Sequence, residues 1–372
     1  MTKSINRWHT LATSAAILLC TGAIYAFSVF AGPLSKETGW TMPEIMLAFT
    51  INNAIGSIPM ILGGYLVDKG YVKWTISLGA LLFAAGFCLS GFATSPGMLY
   101  LTYGLMAGLG QGFAAVIASP IANLLIQSHD AKFAFRILGL AYIIVVLLAS
   151  LFIKAVPAGY KPEGWNPPQQ KQAGSRNINW LGMLKSPIFY AIISMFFVGS
   201  FSGLMIASQA ATIGQSMFGL SAGTAALNVS LYSICNSSGR FIWGTVSDKL
   251  GRSKTLTIIY SVVALALLVL TFIPGQFGFA LGIIGLGICF GGVMGVFPSM
   301  VMENYGPANQ GTNYGIVFTG YSLAAFFAPR VAVQIAGSNH GNYSYAFYVA
   351  IALALIGLAL NFVYVKLSKK NA

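Results

Sequence analysis

An all-α, polytopic membrane protein built from two related helical halves is the fold class this sequence predicts. Three observations carry that expectation. Only 7% of the 372 residues are charged while 56% are apolar, the apolar residues arrive in long runs, and a glycine–aspartate–lysine element at a helix end occurs twice. A soluble domain needs about a quarter of its residues charged to make a water-facing surface. With mean hydropathy +0.76, this chain has no such surface to offer. Runs of about twenty apolar residues match the length of helix that crosses roughly 30 Å of hydrocarbon. The 43 glycines fit spans that pack closely through small residues.

Taken in order, the expected spans are 11–31, 45–67, 74–94, 98–126, 134–155, 187–208, 224–246, 256–273, 278–302, 313–336 and 345–366, eleven in all. The first follows Lys3 and Arg7 and has the flanks of a signal peptide, but it is longer than an apolar signal core and ten spans follow it. We read it as a retained first helix. The stretch 156–186 is polar, basic and rich in proline, which makes it an extended cytoplasmic connection between halves. The domains are therefore residues 1–155, an N-terminal bundle; 156–186, the connection; and 187–372, a C-terminal six-helix bundle.

The formal charge of +13 does not imply nucleic acid here, because the basic residues sit mainly in short loops and at the two ends. Basic cytoplasmic loops orient a membrane protein, so the charge reads as topology, with both termini cytoplasmic in a multi-pass cell-membrane protein. Cys20, Cys88, Cys235 and Cys289 lie inside apolar runs at unrelated spacings, as packing residues rather than disulfides or metal ligands. No cofactor is expected. His9, His129 and His340 all fall outside the spans, which argues against a membrane-embedded enzyme.

Internal repetition supports the two halves. Gly64 to Asp68-Lys69 follows the second span and Gly244 to Asp248-Lys249 follows the seventh, an offset of 180 residues. Gly108-Leu109-Gly110 matches Gly285-Leu286-Gly287 at 177, but Ala134-Phe135 matches Ala346-Phe347 at 212. The jump of 32 to 35 residues means that the first half lacks about one helix and a loop, between about Ser119 and Phe133. Charge parity agrees. Five spans from a cytoplasmic N-terminus would leave the basic connection outside, against the orientation rule.

The repeated element resembles the conserved loop motif of the major facilitator superfamily, whose fold is two six-helix bundles with the substrate between them. The second copy matches closely through Asp248-Lys249-Leu250-Gly251-Arg252; the first departs because Gly70 follows Lys69 directly. Physically, an aspartate at a helix end accepts hydrogen bonds from a neighbouring helix N-terminus or pairs with a base, which makes a gating clamp. A tight basic turn that merely fixes topology is the plainer alternative. Four further stretches, Ile24–Phe30, Gly159–Trp165, Ser238-Gly239-Arg240 and Asn313–Thr319, together resemble the oxalate/formate antiporter group, a branch related to monocarboxylate carriers.

Arg240 lies eight residues before Asp248, about 12 Å along a helix. A cation at that depth is costly unless it meets a partner or a wet cavity. Its own helix offers no acid there, and a guanidinium fork matches a carboxylate, so an organic anion is the expected partner. Snorkelling is the alternative. The resemblance implies that this arginine binds substrate carboxylate. Arg330 is the second intramembrane cation, about 9 Å from its helix end, where snorkelling competes equally with substrate contact. The resemblance also places a lysine of the oxalate carriers at Tyr321, which puts oxalate itself in doubt and favours a monocarboxylate. Asn236, one turn before Arg240, stands where proton-coupled relatives carry an aspartate, and an amide does not titrate. Tyr25, Tyr321 and Tyr103 are candidate hydroxyl donors to a cavity, with helix packing as the stronger alternative.

The resulting expectation is a secondary carrier of small carboxylates working by exchange or facilitated alternating access, monomeric, embedded in the lipid bilayer. The alternative is a transport-inactive relative, motivated by the missing helix.

Overall fold

In the computed structural model the described residues are 27–110, 131–150 and 177–371, and they form helices joined by short turns, with no strand among them. The first half contains α1 (Phe27–Thr38), α2 (Met42–Ile55), α3 (Ser57–Asp68), α4 (Val72–Ser90), α5 (Pro96–Leu99) running into a π-helical segment (Tyr100–Ala107), and α6 (Ala131–Ser150). The second half contains α7 (Trp180–Leu184), α8 (Pro187–Phe218), α9 (Ala222–Leu250), α10 (Arg252–Phe272), α11 (Gly275–Tyr305), α12 (Gln310–Val317), α13 (Thr319–Ser338) and α14 (Ser344–Asn371). Tyr25, most of the first expected span, and the connection through residue 176 lie outside the described residues.

Six described stretches are long and apolar enough to cross a membrane: Met42–Asp68, Pro187–Phe218, Arg252–Phe272, Gly275–Tyr305, Gln310–Ser338 and Ser344–Lys369. Ser77–Ser90 and Phe135–Ile144 are shorter apolar helices. Helix α9 is 29 residues long but stands apart, because its middle carries Ser230, Ser233, Asn236, Ser237, Ser238 and Arg240. A span with that many polar groups needs a polar neighbourhood rather than lipid.

Local sequence sets the helix ends. Ser95 Oγ accepts from the Met98 amide at 3.3 Å, with Pro96 at the first helical position; Ser221 Oγ accepts from the Thr224 amide at 3.2 Å. Glu44 reaches back to the Thr41 amide at 2.8 Å and to its hydroxyl at 2.7 Å, holding the turn into α2. Both loop motifs end on a glycine with positive φ, +92° at Gly70 and +87° at Gly251, a conformation that other residues adopt at a cost. The displaced glycine of the first copy therefore does the same backbone job one residue earlier.

Glycines set the helix spacing. Gly287, Gly291 and Gly295 recur every fourth residue of α11 and press on the backbone of α9: a Cβ on Gly295 would lie 2.7 Å from the Arg240 carbonyl oxygen, and one on Gly291 would overlap the Asn236 carbonyl. Gly239 returns the contact from α9 against Ile288. Two tyrosines tie neighbouring helices to α8, Tyr232 donating to the Gly203 carbonyl at 2.7 Å and Tyr260 to the Met195 carbonyl at 2.8 Å. In the first half Asn52 donates to the Tyr103 carbonyl at 2.6 Å, in the π-helical segment, where i→i+5 bonding disturbs the regular ladder. Phe30, Phe87, Phe135 and Tyr103 fill the space between α1, α4, the π-helical segment and α6.

Gly291→Leu is expected to separate α9 from α11 and lower the thermal unfolding temperature of the solubilised protein, since overpacking costs about 1–3 kcal/mol. Gly337→Leu, where an added Cβ meets nothing within 4 Å, should leave it unchanged.

The two ends of the bundle are defined by contacts. Asp68 and Asp248 mark the loop-motif end. Gly91 at the other end of α4 abuts Lys132 and Arg136, and Lys132 lies over the Trp40 ring, so α6 begins at the far end. Gly110 packs against Gly79 and Phe83, midway along α4. The described chain thus stops at mid-depth at Gly110 and resumes at the far end at Ala131. An eleven-span count is not established by the described residues.

Candidate functional site: an inter-half clamp and a cationic helix

The loop-motif end is closed by direct contact between the halves. Asp68, at the last turn of α3, accepts hydrogen bonds from the Gly311 amide (3.0 Å), the Thr312 amide (3.0 Å) and the Thr312 hydroxyl (2.9 Å). These are the free donors of the first turn of α12, where the helix dipole also favours a negative charge. The approach needs glycine on both sides. A Cβ on Gly64 would overlap the Gly311 carbonyl, one on Gly311 would lie 2.8 Å from Asp68 Oδ1, and one on Gly315 would lie 2.7 Å from Ile61 Cα. Deeper in, the Ser57 amide donates to Ser322 Oγ at 3.2 Å and the Tyr321 hydroxyl to Asn53 Oδ1 at 3.1 Å. Lys69 is turned over the Tyr65 ring, 5.5 Å from its centre.

The end of the inter-half connection joins this clamp. The Ile178 amide donates to the Tyr305 carbonyl, and Asn313 Nδ2 donates to the Ile178 carbonyl, each at 2.9 Å. Asn179 then caps α7 through the Gly182 amide at 3.0 Å. Fully buried Asn313 follows Gly311 and Thr312 directly, so the connection and Asp68 grip the same helical turn.

The second loop motif is arranged differently. Arg252 pairs with Asp248 at 2.6 Å and with Glu303 at 2.9 Å, and its guanidinium also contacts Ser247 Oγ. This joins the end of α9 to the end of α11 within one half. Lys249 is exposed, and Gly244 has open space where a Cβ would stand.

Arg240 is half-buried midway between Asn236 and Gly244 on α9, its backbone seated on Gly291 and Gly295. Tyr314 of α12 lies within range of its charge. Asn236 is 2% exposed, and its amide nitrogen has no hydrogen-bond partner among the described residues. A buried N–H donor left without an acceptor costs about 1–3 kcal/mol. Tyr321 is buried between the halves and stacked on Phe318 at 4.5 Å, so its hydroxyl serves the Asn53 contact. Tyr103 is fully buried and stacked on Phe27 at 4.4 Å. Arg330 is exposed, its guanidinium 3.7 Å from the centre of the Phe326 ring, a cation–π contact on its own helix. It lies nine residues beyond Tyr321 along α13, about 13 Å at the helical rise. Among the described residues no group of three or more histidines, cysteines or acids forms a metal site.

Sequence reasoning placed an aspartate at a helix end but left the turn that donates to it, Gly311-Thr312, unassigned; Asn313, Asn53 and Ser57 were also missed as contact residues. The available signal was the pair Gly311 and Gly315 at four-residue spacing opening a span, which marks a close-approach face without naming its partner.

Comparison with known proteins gives a consistent picture. The family model described as Major Facilitator Superfamily matches residues 103–329 and 195–372. The chain is 28% identical to an oxalate:formate antiporter of Oxalobacter formigenes over 95% of this chain and 90% of that protein. It is 25% identical to the uncharacterized MFS-type transporter YhjX of Escherichia coli over 86% of each. A shorter match, 38% identity over 28% of this chain and 20% of the relative, is to apicoplast pyruvate carrier 1 of Toxoplasma gondii. A solved bacterial homologue of the human lysosomal transporter Spinster, inward-facing and unoccupied, superposes with a TM-score of 0.69 at 15% identity, covering 100% of this chain and 99% of that one. The chain is a multi-pass membrane transporter and belongs to the major facilitator superfamily.

Proposed function

We propose that this protein is a secondary carrier of small carboxylates of the formate, oxalate, lactate and pyruvate class, working by exchange or facilitated alternating access. The observation that carries the proposal is Arg240, half-buried within α9, one turn from the orphan amide of buried Asn236. A guanidinium takes a carboxylate through two parallel hydrogen bonds, and the amide N–H supplies a third donor to a neighbouring oxygen. The relatives named as an oxalate:formate antiporter and a pyruvate carrier support the substrate class. Tyr321 replaces a second cation at the inner end of α13, which favours monocarboxylates; Arg330 and Tyr25 are secondary candidates for substrate contact. The loop-motif end, closed by Asp68 on α12, is assigned to the cytoplasmic side by the basic residues around it, with both termini on that side of the cell membrane.

Exchange rather than proton symport follows from where the acids are. Asp68, Asp248 and Glu303 are at the loop-motif end, Glu37 and Glu44 at the far end, and Asp130 and Glu163 fall in sequence between the expected spans. Uptake of labelled formate, oxalate, lactate and pyruvate into proteoliposomes should therefore be stimulated by internal carboxylate and should barely respond to an imposed pH gradient. Uphill accumulation driven by the gradient alone would contradict the exchange mode.

A transport-inactive relative is the second reading, and one observation favours it. Among the described residues the face of α9 around Gly244 is uncovered where the first half's counterpart is clamped.

A further inference from the structure

The two halves carry the same helix-docking surface, and among the described residues only one copy of it is covered by another helix. In the first half Ile61, Gly64 and Asp68 form a row on α3, and α12 lies on it through Gly315, Gly311 and its amino-terminal donors. The 180-residue repeat maps that row onto Phe241, Gly244 and Asp248 of α9. The chemistry is kept: an apolar residue, a glycine three positions on, and an aspartate four positions further. The cover is not. Phe241 is 73% exposed; among the described residues a Cβ on Gly244 meets nothing within 4 Å, and the Asp248 side chain, 68% exposed, has only Arg252 of the adjoining turn as its ion-pair partner.

The exposed row continues up the same helix face through Ser238 and Ile234 to Leu227, at intervals of three, four and seven residues. That spacing is a seam suited to a packed helix rather than scattered lipid-facing side chains. The jump in repeat offset says what is missing. By that offset the first half's sequence lacks a counterpart of α12–α13, whose α12 covers the first half's row.

We infer that the Phe241–Gly244–Asp248 face of α9 is a docking surface for a single transmembrane helix supplied by a separate membrane polypeptide. That helix enters with its N-terminus at Asp248 and carries small residues four apart on the face that meets Gly244 and Phe241. The electrostatics select this occupant. A helix N-terminus brings the positive end of the dipole and free amide donors to the Asp248 carboxylate, as α12 does for Asp68. A second copy of this chain docked through the same face would set Asp248 against Asp248. Its own α12 is already engaged by Asp68. The inference goes beyond the carboxylate proposal and does not depend on it, because a helix can dock here whether or not anions are carried.

The test uses the full chain in nanodiscs, with its native cysteines replaced and Phe241→Cys introduced. The probe is a synthetic peptide of residues 307–340 of this same sequence, bearing Gly315→Cys, since that helix is the repeat counterpart of the absent one. Under mild oxidation the peptide should form a disulfide with position 241 at least ten-fold more efficiently than a scrambled peptide of equal composition. Gly244→Leu, on an open face that tolerates it, should reduce the yield to the scrambled level, and Asp248→Lys should lower it. A yield no greater than the scrambled control marks the face as a lipid surface and overturns the proposal, as does an undiminished yield with Gly244→Leu. Disulfide-linked dimers of the chain in place of the peptide adduct would make the occupant a second copy, which also overturns it.

Discussion

Replacing Arg240 with lysine is expected to weaken carboxylate transport by about thirty-fold in apparent affinity even though the charge is kept. The guanidinium is planar and offers parallel donors, whereas an ammonium is a point charge whose single best contact leaves one carboxylate oxygen without its partner. Losing one charge-assisted hydrogen bond in a desolvated site costs about 2 kcal/mol, which is roughly that factor. Arg240→Gln removes the charge as well and should lose transport almost completely. The backbone of α9 is held at this position by Gly291 and Gly295 rather than by the side chain, so both variants should fold and insert. Initial rates of labelled-anion uptake across a concentration series measure the effect. Unchanged affinity in both variants would remove Arg240 from the substrate site and leave snorkelling as its role.

The second large effect is expected at the clamp. Gly64→Leu should abolish turnover by denying the closed state, because the side chain must occupy the place of the Gly311 carbonyl. The protein should remain folded, since Gly64 is not within either half's core and the halves can stay apart at this end. Asp68→Asn is milder. It keeps the shape and one acceptor oxygen but removes the charge that faces the α12 donors, costing about 1–2 kcal/mol of closed-state stability. A single cysteine at Tyr314 or Phe318, labelled from the loop-motif side, reports the opening. Labelling should rise about five- to thirty-fold in Asp68→Asn and reach its ceiling in Gly64→Leu. Equal labelling in the parent and both variants would mean that this contact does not hold the end closed. The connection matters to the same equilibrium, because Asn313 ties Ile178 to the turn that Asp68 grips.

Much of this architecture was legible in the chain, and the boundary of what was legible has a physical cause. Span positions and the two halves follow from hydropathy and from a repeated Gly–Asp–Lys element, because both are local patterns. The partner of Asp68 is 243 residues away in the other half, and no local pattern names it. Gly64 reads as the first residue of a repeated loop motif, and only the fold shows that Gly311 packs against it. Tyr321 reads as a hydroxyl donor; the fold places that hydroxyl on Asn53, at the inter-half contact, where it holds the halves together. Arg330 reads as a second intramembrane cation, and the fold puts it on the Phe326 ring at an exposed face of α13. The π-helical turn beside Asn52 has no signature in hydrophobic period and was invisible before the fold. The change of repeat offset was legible as well, and among the described residues nothing lies within 4 Å of a Cβ on Gly244; whether a span is missing is not fixed by the described residues.

Counterflow in proteoliposomes tests the central claim most directly, namely that this chain moves small carboxylates through a site anchored by Arg240. Vesicles loaded with unlabelled formate, oxalate, lactate or pyruvate would be diluted into a trace of the same labelled anion at fixed pH and no membrane potential. The account predicts a transient internal overshoot of label for at least one of the four, strongest for a monocarboxylate and absent in Arg240→Gln. No overshoot above protein-free vesicles for any of them, from a folded and inserted chain, would contradict it and leave the protein as a family member that does not transport these anions.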